Sequence, residues 1–222
     1  MIPEDDAALF PWIADNLYTA VLSDSCDGLG RMNQALGPEI RPTDENLILV
    51  GRAKTVLWSD LYHVPEGNPY EGEIQAVDSI RPGDIVVMAT GASKRNAPWG
   101  ELMSTACVQR GGRGAVTDGL IRDVRRIRAL GLPVFAAGYK PVDSRGRGHV
   151  VAFDVPVEIS GVRIEPGDLV VGDLDGVVVV PQAVERQVLQ TAYEKTTAEN
   201  HTREELERGD LLADVYARHG VL

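Results

Sequence analysis

The chain has little of several things, and each shortage removes a class of function. Only two cysteines, Cys26 and Cys107, occur in 222 residues. They are far apart and lack CxxC or Cys/His metal spacing, so two free buried thiols in a reducing compartment are expected rather than a disulfide framework. The four histidines, His63, His149, His201 and His219, form no HxH or HExxH pair, which argues against a histidine zinc site. No run of apolar residues approaches the 18 or so that a membrane span requires. Positive charge is scarce as well: 22 Lys plus Arg face 33 Asp plus Glu, a formal charge of −11. A nucleic-acid surface needs a basic face and adhesion to anionic lipid needs a basic patch, so neither partner is expected. The start, MIPEDDAALF, is acidic where a secretion signal is basic, and a cytoplasmic location is expected.

What is present reads as an α/β protein of one domain spanning 1–222, with no linker or low-complexity stretch dividing it. Residues 7–22 carry Leu9, Ile13, Leu17 and Val21 at helical spacing, with Pro11 placed in the first turn, where its missing N–H costs least. SDSCDGLGRMN then breaks the pattern. Residues 47–58 predict a strand with a glycine interruption, and 74–79 a short helix. RPGDIVVMATG at 81–91 is echoed by EPGDLVVGDLDG at 165–176, each a Pro-Gly turn feeding an apolar strand. Asp84 and Asp168 are read as turn residues. Helix 101–111, strand 114–119, helix 124–130 capped by Gly131, and strand 132–138 follow, a βαβα rhythm that indicates parallel pairing. Hairpin-like strands are expected over 150–164, a last strand over 171–181, and a long polar helix from about 182 to 208. A helix so polar often packs on a neighbouring subunit.

The stretch with chemistry in it is 96–125. Gly100 precedes Glu101-Leu102-Met103 at a helix start, whose free N–H groups make an anion site that glycine lets a ligand approach. Arg122-Asp123 follows a strand and opens the next helix. Successive parallel strands end at one sheet edge, where α/β proteins place ligands. There a guanidinium can grip a carboxylate bidentately, and a carboxylate can hold Mg²⁺ or Mn²⁺. The same residues also suit a plain reading, in which Glu101 favours a helix N-terminus and Arg122-Asp123 is a surface feature. Lys140, after a strand end, is the one lysine placed to suggest Schiff-base chemistry. His149, Arg145 and Arg147 in SRGRGHV read as a strand flank and a solvated loop.

In order along the chain, SDSCD (23–27), GRAKTV (51–56), IRPGDIVV (80–87), WGELMSTAC (99–107), GAVTDGLIRDV (114–124), LPVFAAG (132–138) and PGDLVVGDLDGVVVVP (166–181) resemble the RraA-like family. That family includes class II pyruvate aldolases acting on 4-hydroxy-4-methyl-2-oxoglutarate and 4-carboxy-4-hydroxy-2-oxoadipate. The family's signature, an acidic residue, twenty intervening residues and Arg-Asp, falls on Glu101, Arg122 and Asp123, with Glu where Asp is usual. The resemblance implies a swivelling β/β/α fold with mixed sheets, and a homotrimer or hexamer with sites between subunits. It implies that Asp123 ligates Mg²⁺ or Mn²⁺, and that Arg122 with the 100–103 backbone binds the pyruvate-like part of a small 2-oxo acid carrying two or three carboxylates. Glu101 would act on the proton of the 4-hydroxyl through water, with Glu199 brought from a neighbouring subunit's C-terminal helix. The reaction implied is cleavage to pyruvate and a second oxo compound, with oxaloacetate decarboxylation alongside. The alternative within the same family is a non-catalytic regulator that binds RNase E. Members of this family have also been labelled menaquinone methyltransferases, a reading that finds no support here, since no GxGxxG leads from a strand into a helix.

Overall fold

A computed structural model describes residues 1–220. The chain begins with two helices, α1 (Asp6–Asn16) and α2 (Thr19–Gly28). The single helix expected over 7–22 is therefore broken, and the segment SDSCDG expected to interrupt it is helical. Leu17 and Tyr18 are fully extended between the two helices. The break is fixed from outside: the carboxylate of Asp173 accepts from both the backbone N–H (2.8 Å) and the hydroxyl (2.6 Å) of Thr19, so a distant residue caps the first turn of α2. Pro11 lies in the second turn of α1, not the first, since the helix starts at Asp6 behind the Asp5 cap.

The remaining strands are β1 (Arg41–Pro42), β2 (Leu49–Asp60), β3 (Asp84–Ala89), β4 (Gly114–Thr117), β5 (Val134–Ala136), β6 (Gly148–Phe153), β7 (Val157–Ile159), β8 (Val162–Ile164), β9 (Leu169–Asp173) and β10 (Gly176–Val180). The helices among and after them are α3 (Glu71–Asp78), α4 (Glu101–Gln109), α5 (Val124–Leu130), α6 (Glu185–Glu207, after a single 3₁₀ turn) and α7 (Leu212–His219). One mixed sheet runs β1-β5-β4-β3-β2-β9-β10, with β6 also on β2. Strands β2, β3, β4 and β5 are parallel, as the alternation of strands and helices required. The single final strand expected over 171–181 is instead two, the end of β9 and the whole of β10, joined in a hairpin turned at Leu174-Asp175. Residues 150–164 hold the end of β6 and the β7–β8 hairpin, whose turn puts Ser160 and Gly161 at positive φ.

The two echoed Pro-Gly segments lie on opposite sides of β2, β3 parallel to it and β9 antiparallel. Their aspartates do the same work. Asp84 accepts from the N–H of Arg81 at 2.8 Å, and Asp168 from that of Glu165 at 2.9 Å. Both are turn residues, as read.

The sheet curls until it is nearly closed, and side chains alternate between two sides. Ile85, Val87, Ala89, Val116, Phe135, Val170 and Val179 fill the inside with the β7–β8 hairpin. Val86, Met88, Ala115 and Val134 face outward under α3, α4 and α5. Val50, Val171, Val178 and Val180 face outward under α1, α2 and α6. Burial on both faces explains the unbroken apolar runs of β3 and β10. Val188, Leu189 and Ala192 of α6 are buried in this chain's own core, so the first half of that helix is committed within the chain. Cys26 and Cys107 are free and buried, and burial pushes both thiols up to about 11. Among the described residues no helix is long and apolar enough to cross a membrane.

Candidate active site

The site is assembled where three parallel strands end. Beyond the regular ladder, Trp99 pairs in parallel with Ile121, and Ile121 with Tyr139. These bridges bring the loops after β3, β4 and β5 side by side. Trp99, 1% exposed, donates from Nε1 to Ser104 Oγ at 2.8 Å, and Ser104 Oγ donates to the carbonyl of Gly100 at 2.9 Å. The start of α4 is thereby held rigid. Gly100 has no side chain to cap α4, and the one side-chain acceptor near its first N–H groups is Asp123, 3.4 Å from the N–H of Glu101.

Arg122 and Asp123 stand directly against that helix start. A Cβ on Gly100 would lie 2.9 Å from Asp123 Oδ2 and 3.2 Å from Arg122 Cγ. Glycine lets the Asp123 and Arg122 side chains lie in the space that a Cβ would take, and any larger residue would displace them. Asp123 adopts a left-handed conformation, φ 61° and ψ 26°, which costs a non-glycine residue on the order of 1 kcal/mol. It is the N-cap residue of α5, yet its carboxylate does not cap that helix. The side chain turns the other way, with Oδ2 3.4 Å from the N–H of Glu101 and 3.8 Å from Arg122 Nε. Strain is thus spent on aiming one carboxylate into the cleft rather than on closing a helix.

Arg122 is oriented in turn. Its NH1 lies 3.1 Å from Asp143 Oδ1, and Tyr70 donates its hydroxyl to Asp143 Oδ2 at 2.6 Å. The chain Tyr70–Asp143–Arg122 links the start of α3, the loop after β5 and the loop after β4. Hydrogen bonds and the guanidinium together hold the Asp143 carboxyl below its ordinary range, against the opposing effect of burial. Glu101 lines the cleft from the first turn of α4, and its Oε1 accepts from Thr105 Oγ1 at 3.1 Å. The extra methylene relative to aspartate lets this carboxylate fold back along its own helix.

The cleft has a volume of about 480 Å³. Gly100, Glu101, Leu102, Met103, Arg122 and Asp123, all expected from the sequence, line it together. Leu102, 78% exposed, stands at its mouth. Tyr70, Glu73, Asp143 and Ser144 line it too and were not anticipated. Asp143 was accessible to the rule that successive parallel strands end at one edge, since it follows β5. Tyr70 and Glu73 carry no local signal; only the packing of α3 brings them in. Glu73 is 7% exposed, and burial pushes its carboxyl up to about 7, with Asp143 adding to the rise and Ser144 and Arg122 opposing it.

Other expected residues fall elsewhere. Glu199 does not line its own chain's cleft. It sits on α6, accepts a short hydrogen bond from Tyr18 Oη and lies 3.9 Å from Lys195 Nζ. Lys140 is partly buried and donates to the carbonyl of Lys94. His149 belongs to β6, opposite Ser59, outside the cleft lining. Arg147 bonds the carbonyls of Asp143 and Arg145 within its own loop.

Among the described residues no three His, Cys, Asp or Glu side chains converge as a metal cage. The donor set still fits one kind of ion. Mg²⁺ takes one or two protein carboxylates, keeps several waters and shares the rest of its shell with substrate. A single aimed and strained carboxylate beside an open cleft is that arrangement, whereas a closed structural zinc site is not.

The chain is an α/β protein with a curled mixed sheet, in which a helix N-terminus and an Arg-Asp pair meet where parallel strands end. Residues 19–179 match the RraA-like family, described as Aldolase/RraA, and the chain belongs to that family. A relative from Halalkalibacterium halodurans, named "Putative 4-hydroxy-4-methyl-2-oxoglutarate aldolase", is 36% identical over 186 residues, 84% of this chain and 82% of that one. Among solved structures, Streptomyces coelicolor RraAS2, described as an unusual member of the RNase ES inhibitor RraA protein family, is 28% identical, with a TM-score of 0.80 over 91% of this chain and all of that one. An uncharacterized protein from Pseudomonas syringae is 29% identical with a TM-score of 0.81, over 91% and 94% of the two chains.

Proposed function

We propose that the protein is a divalent-metal-dependent aldolase that cleaves a 4-hydroxy-2-oxo acid to pyruvate and a second oxo compound, and that it also decarboxylates oxaloacetate. The observation that carries this reading is the convergence of Arg122, Asp123 and the start of α4 on one cleft. Relatives named for an aldolase support it.

Asp123 would hold Mg²⁺ or Mn²⁺. When bound, such an ion supplies positive charge where the enolate oxygen develops. Arg122 binds the substrate carboxylate through the guanidinium edge that Asp143 leaves free, and the N–H groups of residues 101–103 orient it. Glu101, on the first turn of α4, takes the proton from the 4-hydroxyl as the C3–C4 bond breaks and returns it to C3 of the pyruvate enolate. Glu199, remote from its own chain's cleft, would reach a site only in a homotrimer or hexamer, from a neighbouring subunit. A cytoplasmic location accords with two free thiols.

The test is pyruvate release from 4-hydroxy-4-methyl-2-oxoglutarate, other 4-hydroxy-2-oxo acids and oxaloacetate, with Mg²⁺ or Mn²⁺ and after chelation. Metal-dependent release from any of them supports the reading. No release from the whole series leaves the RNase-binding reading, which a pull-down with RNase E would then examine.

A further inference from the structure

We propose that Glu73 is the acid that protonates C3 of the pyruvate enolate when the protein decarboxylates oxaloacetate. The proposal rests on the reading above, which gives the cleft two reactions, and adds that the two need different proton donors. In aldol cleavage the C3–C4 bond breaks as the 4-hydroxyl gives its proton to Glu101, and that proton returns to C3. The protons balance within the substrate. In oxaloacetate the C3–C4 bond breaks with its electron pair kept on the C3 side, and C4 leaves as CO₂. No hydroxyl is present to reload Glu101, so the proton that C3 takes must come from elsewhere.

Five carboxyl groups line the cleft, and their surroundings sort them. Asp78 is paired with Arg110. Asp143 is held by Arg122 and Tyr70. Asp123 stands beside Arg122, and Glu101 accepts from Thr105 in the first turns of α4. Glu73 differs from all of these. It is 7% exposed, it forms no ion pair among the described residues, and its Oε1 has no hydrogen-bond partner among them. A carboxyl shut away from water without a cation is most stable with its proton on. The groups acting on it are Asp143 and Ser144 from the loop after β5, Arg122 from the loop after β4 and Tyr70 at the start of its own helix. Burial outweighs Arg122 and Ser144, and the carboxyl is pushed up to about 7. A proton held there near neutrality can be both given and replaced. The same neighbours put Glu73 at the Arg122 end of the cleft, where the 2-oxo acid binds. The burial is this chain's own, so a neighbouring subunit closing over the cleft mouth adds to it and leaves Oε1 untouched.

The test compares turnover of oxaloacetate and of 4-hydroxy-4-methyl-2-oxoglutarate in Mg²⁺ by wild type and Glu73→Gln, from about pH 6 to about pH 8. Thermal melting checks that the variant is folded, and calorimetric binding of oxalate, a mimic of the enolate, checks that its cleft is intact. Glu73→Gln is expected to lower decarboxylation by about tenfold or more and cleavage by less than about threefold, with oxalate affinity kept. Wild-type decarboxylation should decline as pH rises through about 7, where Glu73 gives up its proton, and neither the variant nor the cleavage reaction should share that decline. The wild-type profile decides the matter even where the variant melts early. Equal loss of both reactions, loss of neither, a wild-type decarboxylation that keeps its rate across the range, or cleavage with no decarboxylation at all overturns the proposal. Glu73-dependent decarboxylation with no cleavage of any 4-hydroxy-2-oxo acid strikes the aldolase reading alone.

Discussion

Asp123 shows how much a single residue is asked to do. Its left-handed backbone costs stability, and its carboxylate caps nothing in α5. Replacing it with glycine removes both the strain and the side chain. Asp123→Gly is therefore expected to be as stable as wild type or more stable by about 1 kcal/mol, while turnover is lost. Equilibrium urea unfolding paired with a pyruvate assay checks this, and a marked loss of stability would show that the carboxylate is structural. Gly100→Ala tests the same contact from the other side. The added Cβ, 2.9 Å from Asp123 Oδ2, must push the Arg-Asp pair away from α4. A displacement of that kind should cost roughly 10²-fold in kcat/KM with the fold retained by circular dichroism. Glu73 makes a pH statement. Its carboxyl is raised from 4.5 to about 7, so the folded state holds the proton more tightly than the unfolded chain. The stability it contributes is present below pH 4.5 and is lost as pH rises to 7, by roughly 3 kcal/mol across that window. Glu73→Gln should remove this slope, read as the difference between the two proteins' unfolding free energies from pH 4.5 to 8.

At the scale of elements, the parallel strands and the helices between them were legible because each is bounded by its own chemistry. The Pro-Gly turns at 82–83 and 166–167 start β3 and β9, and Gly131 ends α5 at φ 66°. The errors arose where a distant residue decides. The spacing of Leu9, Ile13, Leu17 and Val21 gives one helix, yet Asp173 captures Thr19 from more than 150 residues away and divides it. Asp173→Ala should accordingly cost about 1–2 kcal/mol and expose the start of α2 to hydrogen exchange. The candidate site divides along the same line. Gly100, Glu101, Arg122 and Asp123 lie at recognisable ends of elements. Tyr70 and Glu73 do not, because only tertiary packing of α3 against the 142–144 loop makes them neighbours of Arg122. Tyr70→Phe deletes the hydrogen bond that orients Asp143. KM for a 2-oxo acid should rise several-fold, with a smaller change in kcat, because the loosened group binds carboxylate in ground and transition states alike.

For the whole molecule, the net charge of −11 is compatible with binding an anion because the field that matters is local. One guanidinium, a helix N-terminus and the ion that Asp123 would hold provide positive potential in a cleft whose other charged groups are mostly acidic. The nearly closed sheet makes this possible by ending three parallel strands side by side and setting the helix start of α4 against them. The most direct measurement is the rate of pyruvate formation from a 4-hydroxy-2-oxo acid by wild type and Asp123→Ala, each in excess Mg²⁺ and again after chelation. The expected result is turnover by wild type in Mg²⁺ only, with Asp123→Ala reduced by about 10³-fold or more at an unchanged melting temperature. Turnover that survives either chelation or loss of the Asp123 carboxylate would contradict the account.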